Sequence, residues 1–342
     1  MRTALRVALG EHMRAPMVAV GAMLLFALLV WVVGYSPAAA GRALWTGSLG
    51  SLPALGSTLN KAVPLLLCGL AVALAFRAGA LNIGAEGQFY MGALAALFCG
   101  QRCAGWPAVV LLPMILVAGM AAGAAWAGLA ALLRIGRSVP EVLSTIMLNF
   151  IAVLAVSFAV HGPLREAAGA YPQSDPLPPA ALLPRLFGDM RLSWGLAVAL
   201  VVLFVVGIVM QRSTWGFRLR AVGNAERAAA YLGIARAPHL LSAMLASGAL
   251  AGLAGALELS GVARRLYENF SPGYGYTAIA VALLARLSPA GLLPAALFFG
   301  ALESGGRSLQ TTAGIPSVLV QVLLGLVVLL AVGAGLYESR RA

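Results

Sequence analysis

The sequence predicts an all-α polytopic membrane protein of about ten transmembrane segments, and three observations carry that reading. The chain of 342 residues is 61% hydrophobic and 10% charged, with a mean hydropathy of +0.93. Soluble domains carry about 25% charged residues, so this chain cannot clothe a water-facing surface. Apolar runs of about 20 residues, the length of a spanning helix, recur from end to end. Between them the arginines stand singly or in pairs, as cytoplasmic loop signals do. A cytosolic enzyme and a disordered chain are both excluded.

The first apolar run, 16–35, follows Arg2, Arg6 and Arg14, which places residues 1–15 in the cytoplasm. A cleaved signal peptide is the rival, because SPAAA follows the run. The run is long for such a peptide, however, and Glu11 interrupts its basic head. Residues 36–60 are rich in glycine, serine and proline and are expected outside, with room for a helix on the membrane surface. Further runs cover roughly 61–76, 87–100, 106–133 and 140–160, with Arg77, Arg134 and Arg137 at inner ends. The polar, proline-rich stretch 161–191 is an external loop by alternation. A sixth run, 192–210, leads into 211–238, the densest basic stretch and therefore a cytoplasmic loop. The seventh, 239–262, exits to Arg264 and Arg265, two cations on the outer side against the rule.

In 277–302, Arg286 and Pro289 argue for two short helices rather than one crossing. With a last run at 316–336 this makes ten segments and keeps Arg340 and Arg341 inside. Segments two to five then start outside and seven to ten inside, giving inverted repeats with a substrate path between them. Gly119 with Gly123, and Gly248 with Gly252, are small-residue pairs suited to close helix packing.

The formal charge of +12 raises nucleic acid as a partner, but the basic residues form no stripe, and that reading is set aside. Cys68, Cys99 and Cys103 make no metal pattern, and His12, His161 and His239 are far apart. No phosphate loop, zinc motif or nucleophile elbow occurs, so neither catalysis nor a cofactor is expected. Two stretches stand out. FRAGALNIGAEGQFYMGALAAL, 76–97, places Asn82, Glu86, Gln88 and three glycines between Arg77 and Phe89, where two membrane helices are joined. Polar backbone there is tolerated only against protein or a water-filled cavity. The plainer reading is an inner turn, with Asn82 near a helix N-cap and Glu86 facing the helix dipole. In 213–244, Asn224 to Leu232 reads as a short helix with Asn224 as N-cap, Glu226 in the first turn and Gly233 as terminator. It is either a docking knob for a partner or an ordinary surface helix.

The strings LNIGAEGQFYMGALAA, GFRLRAVGNAERAAAYLGI and GYGYTAIAVALLARLSP, in this order, resemble the permeases of ABC importers for nucleosides and simple sugars, within the branched-chain amino acid/ribose permease group. The resemblance runs from about residue 55 to 335. It implies a type II importer-like fold, a separate cytoplasmic ATPase, an extracytoplasmic substrate-binding protein and a second permease subunit, often a different one. One departure is RAVGNAERAAAYLGI, where many relatives carry a glutamate or proline between the asparagine and the alanines. Carried over, Gly223, Asn224, Glu226, Arg227, Ala229, Tyr231 and Gly233 belong to the coupling helix in the ATPase cleft. Asn82, Glu86, Gln88 and Tyr90, and in the second half Glu268, Asn269, Phe270, Tyr274 and Tyr276, border the substrate pathway. Aromatic faces for a base, and amide or carboxylate partners for hydroxyls, are what a nucleoside needs. A ribose-like sugar is the alternative. An ion-driven secondary transporter would need buried ionisable groups, for which Glu258 and Glu303 are the candidates, both near predicted helix ends. A structural membrane protein would have no polar cavity.

Overall fold

The computed structural model describes residues 20–339 except 22, 168, 170, 188 and 317. The expected cytoplasmic stretch 1–15 and the last arginines, Arg340 and Arg341, lie outside the described residues. The chain is 76% helical. In order come α1 (Met23–Val32), α2 (Pro37–Ser48), α3 (Leu52–Arg77), α4 (Ala85–Arg102), α5 (Ala108–Arg137) and α6 (Glu141–His161). A small antiparallel hairpin follows, β1 (Arg185–Phe187) with β2 (Leu192–Ser193). Then come α7 (Gly195–Arg212), α8 (Thr214–Asn224), α9 (Glu226–Tyr231), α10 (Arg236–Glu258, prolonged as a π turn over Leu259–Ala263), α11 (Tyr274–Leu284), α12 (Pro289–Ala313) and α13 (Val318–Ser339).

Among the described residues, five helices are long and apolar enough to cross a membrane: α3, α5, α6, α7 and α10 with its π turn. Shorter apolar stretches lie in α1, α11 and α13. The burial pattern shows what surrounds them. From Ala62 to Ala75 every residue of α3 is buried, and α10 is nearly as enclosed. By contrast α5, α6 and α7 turn Val117, Leu132, Phe150, Leu154, Phe158, Val201 and Phe204 outward. An apolar exterior around a small-residue interior is the arrangement that a lipid surrounding dictates.

At the centre, α3 and α10 run antiparallel. The Ser247 hydroxyl donates to the Ala71 carbonyl at 2.7 Å, while Lys61 and Glu258 share one end. Both small-residue pairs meet at one crossing: a methyl on Gly252 would overlap the Gly119 carbonyl, and one on Gly123 would overlap that of Gly248. Gly92 of α4 reaches the same spot, so three helices touch backbone to backbone. Packing then follows a regular scheme. α5 lies on α10 as α12 lies on α3, α4 lies on α10 as α11 lies on α3, and α6 leans on α4 as α13 leans on α11.

Several expectations need correction. α3 begins at Leu52, so the supposed external residues 52–60 are helical, and α2 packs on α12. The break in 277–302 falls at 285–288, but only α11 is short; α12 has 25 residues and holds Glu303 well inside, not at its end. Asn224 ends α8 rather than capping the next helix, whose N-cap is Ala225. Gly233 does terminate that segment, with φ +75°. The stretch 161–191 is no free loop. It lies on 259–268 through Ser174 N to the Leu266 carbonyl (2.7 Å), Leu177 N to the Arg264 carbonyl (2.8 Å) and Leu183 N to the Ser260 carbonyl (3.0 Å). Arg265, one of the two anomalous cations, pairs with Glu166 of that stretch at 3.1 Å. The two segments therefore share one side of the molecule, as alternation requires, and the charge is locally answered.

Candidate translocation site

After Arg77 the chain turns back toward the bundle, and residues 78–84 run non-helically, with Ala80, Asn82 and Gly84 buried and Gly79 and Leu81 exposed. Unwound backbone at this depth has lost its helical partners and must find others. Two asparagines provide them. Asn82 Oδ1 accepts from Gly84 N (2.9 Å), while its amide donates to Gln88 Oε1 (3.0 Å) and Ser247 Oγ (2.8 Å). Asn149, on α6, donates to the Ile83 carbonyl (3.0 Å) and accepts from Gly87 N (2.8 Å). The cap role foreseen for Asn82 is thus replaced by a wider one, since the N-cap position is Gly84 and makes no side-chain cap.

The N-terminus of α11 abuts that of α4, with Gly275 so near Glu86 N that a methyl there could not fit. Glu86 lies beside both helix ends. Its carboxylate, buried to 3% exposure, accepts from Gly275 N at 2.6 Å. A negative charge at helix N-termini is favourable, so Glu86, in the first turn of α4, faces the dipole of its own helix and that of α11 as well. Tyr90 holds the same turn, its hydroxyl accepting from Ser271 N at 3.1 Å. The Ser271 hydroxyl in turn accepts from Gly273 N and Tyr274 N, both at 3.0 Å. Around this junction Phe89 stacks on Phe270 (5.6 Å) and meets Tyr274 edge-on (5.9 Å), and Tyr267 meets Phe270 at 5.6 Å.

A cavity of about 690 Å³ opens beside these rings. Asn269, Phe270 and Tyr274 line it; Asn82, Glu86, Gln88 and Tyr90 do not, standing behind the wall as its supports. Tyr276 lies apart, its hydroxyl accepting from Asn149 at 3.3 Å. Glu268 is at the surface with Ser157 (3.2 Å). The rest of the lining includes Asn60, Lys61, Glu258, Glu303 and Arg307, with Arg185, Arg191 and Arg264 at its rim. Lys61 donates to the Glu303 carbonyl (2.9 Å), and its ammonium stands 3.6 Å from the Glu303 carboxylate. Sequence reading missed Asn149, Ser247 and Lys61. Lys61, the only lysine of the chain and placed at the head of an apolar run, was the available signal.

At the opposite end, α8 folds against the Arg77 end of α3, and α9 packs on α8. Gly223 sits directly on the Arg77 carbonyl and Gly79, Trp215 Nε1 donates to Ser242 Oγ at 3.1 Å, and Ala229 is buried. Tyr231, in contrast, is 93% exposed.

A buried polar re-entrant loop, a cavity at one end of the bundle and an exposed helical knob at the other are the parts of a transport subunit. Residues 54–332 match the family model of the branched-chain amino acid transport system permease component. The chain belongs to this permease family. It is 37% identical to a glucose ABC transporter permease of Haloferax volcanii, over 94% of this chain and 86% of the relative. A guanosine ABC transporter permease of Bacillus subtilis is 35% identical over 93% and 92%, and a nucleoside ABC transporter permease of Lactococcus lactis 30% over 89% and 86%. The protein is therefore a multi-pass membrane permease of an ATP-driven ABC importer, working with an ATPase and a substrate-binding protein, and is not itself an enzyme. In the permease, Glu86→Ala strips a charged acceptor from the buried Gly275 N, and leaving such a donor unmet costs about 1–3 kcal/mol. The expected outcome is a lower melting temperature of the detergent-purified complex, with uptake falling in step. An unchanged melting temperature with lost uptake would make Glu86 a transport residue rather than a support.

Proposed function

We propose that this permease carries nucleosides, and that two permease chains, of different kinds, form the complete pore. The observation that carries the substrate reading is the cavity itself, which joins an aromatic wall (Tyr267, Phe270, Tyr274) to amide and carboxylate groups. A nucleoside offers a flat base to the first and hydroxyls to the second. The similarity to guanosine and nucleoside permeases supports it; the similarity to a glucose permease favours a simple sugar as the second reading. The pairing of two chains rests on the family resemblance.

The ten-segment, inverted-repeat reading is supported by the packing scheme. Exchanging α3 with α10, α4 with α11, α5 with α12 and α6 with α13 turns each principal contact among these eight helices into another that is present. In this reading 161–191 and the cavity mouth face outward, where the arginines of the rim meet the binding protein. The α8–α9 segment, 211–238, faces the cytoplasm and the ATPase, with Gly223 to Gly233 in its cleft. Proteoliposomes holding the assembled transporter, supplied with its binding protein and internal ATP, are expected to accumulate radiolabelled guanosine and to be inhibited by excess unlabelled nucleoside but not by glucose. Inhibition by glucose alone would move the assignment to the sugar reading, and accumulation without ATP on a sodium or proton gradient would refute ATP coupling.

A further inference from the structure

We propose that Glu258 and Glu303 form a station in the cavity that accepts hydrogen bonds from the adjacent ribose hydroxyls of a nucleoside in transit, while the Tyr267–Tyr274 aromatic segment takes the base. The inference rests on the nucleoside reading above and adds the residues that recognise the sugar. Glu258 stands at the end of α10 and Glu303 inside α12, and both line the same cavity as Lys61 of α3. Lys61 is committed to α12, through the Glu303 carbonyl at 2.9 Å and the Glu303 carboxylate at 3.6 Å. Glu258 is partly exposed where it lines the cavity, and no hydrogen bond to its carboxylate occurs among the described residues.

An ionised carboxylate only accepts, with two oxygens and about four lone-pair sites to fill. Such a group in a protein cavity needs water or a solute to supply the donors. The cavity holds room for both. Within the chain Lys61 hydrogen-bonds to Glu303, and among the described residues no hydrogen bond from Lys61 or Arg307 reaches Glu258, although all of them line the cavity. A neutral solute with neighbouring hydroxyls meets the requirement without bringing in charge that would bind too tightly to leave. Lys61 then has a defined part. It offsets one of the two negative charges and ties α3 to α12, so that the Glu303 acceptor keeps its place in the wall.

The test uses the full transporter in proteoliposomes with one binding protein in every arm, so that any change in selectivity belongs to the permease. Uptake of guanosine is compared with that of 2′,3′-dideoxyguanosine for the wild type, Glu258→Gln and Glu303→Gln, with copurification of the ATPase as the check on assembly. Hydrogen bonds to charged groups shift an equilibrium about tenfold or more. The wild type is expected to prefer guanosine, and each variant to lose about tenfold of that preference while still binding its ATPase. Because Glu303→Gln also unpairs Lys61, the double variant Lys61→Met with Glu303→Gln serves as a second route and should show the same loss of preference. An unchanged ratio in assembled variants overturns the station and leaves the nucleoside reading standing. Wild-type uptake of no nucleoside overturns both. Variants that keep the ratio but lose a dependence on external sodium or pH would make the pair a cation site, and the proposal would be wrong.

Discussion

A leucine at Gly252 should leave no folded transporter. Gly252 lies where α4, α5 and α10 cross, and a methyl there already meets the Gly119 carbonyl and lies 3.0 Å from Gly123 Cα. The obstacle is backbone, not the movable end of a side chain, so the helices themselves must separate. Overpacking a core costs about 1–3 kcal/mol where side chains can move aside; here they cannot, and the loss should exceed that range. Small residues are also the means by which membrane helices associate, since lipid provides no hydrophobic drive between them. The measurement is size-exclusion chromatography of detergent extracts. Gly252→Ala should give a reduced monodisperse peak and Gly252→Leu none. A normal peak from the leucine variant would refute the crossing.

Proline at Ala229 should uncouple the permease from its ATPase, with the membrane helices intact. α9 has only six residues, and Ala229 N donates to the Ala225 carbonyl at 2.9 Å. Proline removes that donor and clashes with the preceding turn, at about 3 kcal/mol or more in a helix interior. So short a helix has no other turn to fall back on. Tyr231→Ala should act in the same direction for a different reason: a tyrosine 93% exposed has nothing to hold in this chain and is free to fill a pocket in a partner. Glu226→Gln should do little, because its 2.9 Å pair with Arg236 is solvent-exposed and such pairs are worth about 0–1 kcal/mol. ATPase pull-down and substrate-stimulated ATP hydrolysis are the readouts. Full coupling in the proline variant, or a larger loss from Glu226→Gln than from Tyr231→Ala, would remove α9 from the coupling role.

The glycine crossing and the α9 knob differ in how they could be read. The small-residue pairs are visible in sequence because a spacing of four puts them on one helix face. That they face each other, with Gly92 as a third member, is not, because α4, α5 and α10 are far apart in the chain. Gly233 announced the end of the knob through its left-handed conformation, whereas Asn224 misled: its polar side chain suits a helix start, but α8 had already used the residue as its last turn.

By itself the sequence determined the membrane as solvent, since 10% charge cannot face water. It determined the positions of most of the apolar runs, a break near Arg286 and Pro289 and the polar stretch after Arg77, because each depends on residues within one or two turns of one another. Only the tertiary structure decided which polar groups serve the backbone and which face the cavity. Asn82 and Gln88 look like substrate ligands in a string of letters, yet they are consumed by an unwound loop, by Ser247 and by each other. Lys61 and Glu303, 242 residues apart, look like isolated charges and meet on one wall. The reason is that a buried polar group takes its role from its hydrogen-bond partner, and in a bundle of long helices that partner comes from another helix whose distance along the chain no local pattern encodes.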